Sequence, residues 1–71
     1  MLSLDTCSRF MGDLWGMMKA TWEPRTQAQW NDMVEQADAL SKEYGSSPLV
    51  DSLVVAYVMG MEKEMKNEQG K

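Results

Sequence analysis

Few residues of this chain have types that could do chemistry. Its 71 residues include no histidine and a single cysteine, Cys7. A thiol attacks or ligates as the thiolate, and the imidazole that most often activates it is missing. Cys7 stands three residues after Leu4 and four before Met11, so it reads as a small buried or half-buried hydrophobe. Zinc fingers, CxxC redox pairs, Ser-His-Asp triads and internal disulfides are excluded by the same counts. Carboxylates remain. Asp32, Glu35 and Asp38 recur at intervals of three, which drift around a helix instead of converging on one ion. Glu62 and Glu64 point to different sides, and no loop has the alternating oxygen ligands and central glycine of an EF-hand. Gly12-Asp13-Leu14-Trp15-Gly16 has glycine spacing but neither the lysine nor the preceding strand of a phosphate loop. The sequence therefore predicts no catalytic residue, no metal site and no cofactor, and a protein that is not an enzyme.

The elements that would position these residues are helices. One stripe of the first comprises Leu4, Cys7, Met11, Leu14, Trp15, Met18 and Trp22, with Phe10 and Met17 beside it. Ser3 or Asp5 is placed to cap its start, and Pro24 ends it. Thr26 and Gln29 form a capping-box pattern ahead of a second stripe of Trp30, Met33, Val34, Ala37, Leu40 and Tyr44. Gly45 follows where a left-handed residue would stop that helix. Ser47-Pro48 opens a third helix with Asp51 in its first turn, and its main stripe is Leu49, Val50, Leu53, Val54, Tyr57, Met61 and Met65. The β-formers of Leu53 to Val58 are compatible with a strand, but the caps and the continued period favour helix.

The expected architecture is a single all-α domain over residues 1–66: a three-helix bundle, or a helical hairpin plus a third helix. Its helices are expected at about 4–22, 27–44 and 48–66, with short loops and a frayed polar tail at 67–71. Trp30, Ala37, Leu40, Leu53, Val54 and Tyr57 are the expected core, and the three tryptophans are expected to help cement it.

Eleven acidic against seven basic residues give a net charge of −4 and a pI near 4.5. Direct nucleic-acid binding calls for a basic surface. The helix that would enter a DNA groove is apolar between Leu49 and Met61, with Asp51 as its only charge. Met1 to Gly12 lacks the basic start of a signal peptide. The longest uncharged apolar run, Leu53 to Met61, has nine residues against the roughly 20 of a membrane span. These features predict a cytoplasmic protein without nucleic-acid or membrane partners.

Two features suit a chain that binds protein. Gly12 and Gly16 lie toward the polar side of the first helix, where each costs up to about 1 kcal/mol relative to alanine. The third helix is apolar over more than half its circumference, and Val55 and Met59 fall outside its main stripe. That helix must be central or must meet a partner. Gly12, Gly16, Val55 and Met59 are accordingly the candidate interface, and a homodimer is the expected assembly.

The pattern Trp30-x-x-x-Val34-x-x-Ala37-x-x-Leu40-x-x-x-Tyr44-Gly45 is followed by a capped apolar helix ending in Glu62-Lys63-Glu64 and preceded by a tryptophan- and methionine-bearing helix. From about Phe10 to Lys66 it resembles small uncharacterised helical proteins of prophages and mobile elements of gut bacteria. The resemblance implies an accessory protein in the cytoplasm of a bacterial host. It carries over no activity and no functional residue. The function expected is a non-enzymatic interaction module serving as adaptor or modulator. The alternative is an acidic inhibitor that mimics nucleic acid on a nucleic-acid-binding protein.

Overall fold

The computed structural model describes residues 1–69. It consists of three helices joined by short loops: α1 (Leu4–Thr21), α2 (Gln27–Glu43) and α3 (Pro48–Gln69). The fold is all-α, an elongated bundle of 42 × 20 × 17 Å. Helix α3 continues beyond the expected end at residue 66, so 67–69 extend it; residues 70 and 71 of the expected tail lie outside the described residues.

Each helix starts and stops for a local reason. The Ser3 hydroxyl accepts the Thr6 N–H at 3.1 Å and caps α1. The Thr26 hydroxyl accepts the Gln29 N–H at 3.1 Å while Gln29 Oε1 accepts the Thr26 N–H at 3.2 Å, which completes the capping box of α2. Beyond Tyr44, Gly45 takes a φ of 73°. Its N–H donates to Lys42 O, and the Ser46 N–H donates back to Ser41 O. These two bonds satisfy the last carbonyls of α2 in the manner of a Schellman turn. α1 ends at Thr21, before a five-residue connection in which Glu23 has a φ of 51° and Pro24 is buried.

Antiparallel α2 packs along both neighbours, whereas α1 and α3 approach each other less closely. The central helix is thus α2; α3, expected to be central or to meet a partner, lies to one side of it. The core runs through Phe10, Leu14 and Met17 of α1, Met33, Ala37 and Leu40 of α2, and Val50, Val54, Tyr57, Met61 and Met65 of α3. Phe10, Met33 and Val50 are its fully buried side chains. Of the six expected core residues, Ala37, Leu40, Val54 and Tyr57 are buried, while Trp30 and Leu53 are half-buried and pack against the core's edge.

The packing face of α1 is rotated from the expected stripe. Its buried line is Phe10, Leu14, Met17 and Thr21, so Leu4, Met11, Trp15 and Trp22 are exposed. Trp15 and Trp22 remain 61% and 59% exposed, and the tryptophans do not form the core. Apolar residues occupy more of α1 than its neighbours can cover, and the line that wins has no indole N–H to satisfy. Its one buried polar group is paired. The Thr21 hydroxyl donates to Met17 O at 2.8 Å and, its proton so used, accepts from the Tyr57 hydroxyl at 2.8 Å. Val34 and Leu49 were also expected to face inward and are exposed.

Candidate interaction surface

The thiol and the carboxylates singled out from the sequence lie on different helices or point outward. Cys7 is a half-buried free thiol on α1. Asp32, Glu35 and Asp38 point outward on α2, where Asp32 accepts from Gln36 Nε2 at 2.8 Å and Asp38 pairs with Lys42 at 2.9 Å. Among the described residues, no three histidine, cysteine, aspartate or glutamate side chains gather as metal ligands. No helix among them is long and apolar enough to cross a membrane.

What the fold does present is a furrow between α2 and α3. Two adjoining concavities, about 500 Å³ and 450 Å³, share Val34 and Val58. Trp30 and Met65 line the first, and Ala37, Val54, Val55 and Met59 the second. Val34, Val55 and Met59 are each 51% exposed, on a chain where the core side chains are below a tenth. Helical spacing explains the grouping: Val55 and Met59 are one turn apart on α3, and the antiparallel α2 lays Val34 against the same groove.

The four interface residues expected from the sequence are divided by the structure. Val55 and Met59 lie together in the furrow. Gly12 and Gly16 are exposed on α1, and a Cβ at either would meet nothing within 4 Å. Gly16 borders a separate shallow concavity between α1 and α2. Among the described residues, their lack of side chains therefore serves no contact. Val34 is the furrow residue that sequence reasoning placed elsewhere. Its position four residues from both Trp30 and Asp38 is the signal: it marks the edge of the α2 stripe, where apolar gives way to polar.

Both ends of the furrow carry acidic and basic side chains. Beside Trp30 stand Arg25 and Lys66 with one carboxylate, Glu62. Beside Ala37 stand Asp38 and Asp51 with one ammonium, Lys42. Lys66 meets Glu62 at 2.9 Å, and Arg25 meets Glu23 and Glu68 at 3.2 and 3.3 Å. The Arg25 guanidinium is raised above its ordinary pKa, first by the charge of Glu68, and the Lys42 ammonium is raised by its hydrogen bond to Asp38. All these pairs are solvent-exposed, where an ion pair adds little to stability. Asp51 accepts a hydrogen bond from the Ser41 hydroxyl, which ties the start of α3 to the end of α2.

A second apolar feature is the exposed ridge of α1. Met11, Trp15 and Trp22 follow at intervals of four and seven residues, with the Lys19 ammonium 5.7 Å from the Trp15 ring and the Trp22 ring stacked on Tyr57 at 6.3 Å. Comparison with protein families, curated proteins and solved structures finds no significant match.

Proposed function

We propose that this chain is a non-enzymatic protein-interaction module, an accessory protein of a phage or mobile element that acts as adaptor or modulator in the cytoplasm of its bacterial host, and that it self-associates. The observation that supports this reading is the uncovered furrow of Val34, Val55, Val58 and Met59. Apolar side chains grouped on a concave surface favour burial against another protein, at about 25 cal/mol for each Å² removed from water. Tryptophan and methionine, which the α1 ridge exposes, are the side chains enriched where proteins meet.

The test is affinity capture from bacterial lysate with the natural chain and with Met59→Glu and Trp15→Ala variants. A partner held through these surfaces is retained by the natural chain and lost with a variant that stays helical by circular dichroism. An identical set of captured proteins from all three defeats the reading. The salt response of the complex separates it from nucleic-acid mimicry. Contact through apolar side chains persists at high salt, whereas attraction to a row of carboxylates fades as the Debye length falls to about 3 Å at 1 M.

A further inference from the structure

We draw no further inference here: the strongest candidate, the apolar furrow of Val34, Val55 and Met59 between α2 and α3, carries none, because Arg25 and Lys66 at its rim are already paired with Glu23, Glu68 and Glu62 and nothing in the structure shows what covers it.

Discussion

The Tyr57 hydroxyl donates to Thr21 Oγ1 across 2.8 Å, joining the middle of α3 to the last turn of α1. The two residues stand 36 positions apart, and both are buried. Because Thr21 spends its own proton on Met17 O, Tyr57 is the group that donates to its oxygen there. Tyr57→Phe removes that donor and is expected to destabilise the fold by about 1 kcal/mol. Urea unfolding reads this as a lower midpoint with an unchanged slope. A midpoint that does not move would mean that water takes the tyrosine's place.

A second tyrosine makes a pH-dependent contact. The Tyr44 hydroxyl donates to Asp13 Oδ2 at 2.5 Å, and its pKa is pushed up to about 12, first by this hydrogen bond and then by burial and the carboxylate's charge. Folding thus favours the protonated phenol. Its contribution is complete below the ordinary tyrosine pKa near 10 and is lost as pH rises from there through about 12. Ultraviolet titration should show the Tyr44 phenol ionising late, and Asp13→Asn should bring that transition to lower pH. An unchanged titration curve in Asp13→Asn would dissociate the shift from the aspartate.

Leu40 and Val34 distinguish the two faces of α2. Leu40 is 7% exposed within the core, and Leu40→Ala is expected to cost about 2–5 kcal/mol. Val34 is half-exposed in the furrow, and Val34→Ala should change monomer stability by no more than about 0.5 kcal/mol. Equal losses in thermal unfolding at low concentration would put Val34 in the core instead.

Glu23 holds a left-handed backbone conformation, with φ at 51°, between the end of α1 and Pro24. A side chain there carries a penalty of roughly 1–2 kcal/mol that glycine avoids. Glu23→Gly is expected to leave stability level or raise it, although it removes an exposed partner of Arg25. A fall in melting temperature beyond about 4 °C would show that the Glu23–Arg25 pair matters more than the backbone strain.

The boundaries and caps of this fold are legible in the sequence because they depend on neighbours. Ser3, the Thr26–Gln29 box and Gly45 each act through bonds to residues at most five positions away. The faces of α2 and α3 are nearly as legible, since charged residues leave one apolar arc on α2 and a continuous period marks α3. The face of α1 is not. Met11, Trp15 and Trp22 offer as good an apolar line as Phe10, Leu14 and Met17, and the choice is made by what lies across the bundle. Phe10 finds the Tyr44 ring edge-on at 5.3 Å, and Thr21 finds Tyr57. Such partners, 34 and 36 positions distant, have no trace in local spacing. The furrow was half-legible for the same reason: Val55 and Met59 stand outside their stripe, while Val34 becomes part of it only through the approach of α3.

The position of α2 between its neighbours in space, as in sequence, also sets the order of assembly. Each of its two main interfaces joins helices consecutive in the chain, so the entropy of closing either loop is small. Such local wiring places folding in the microsecond-to-millisecond range. The turn at Gly45 and Ser46 and the link from Ser41 to Asp51 let the α2–α3 hairpin form without waiting for α1. Ordering of the Thr21–Tyr57 junction, which ties α3 to α1 across 36 positions, then follows the hairpin.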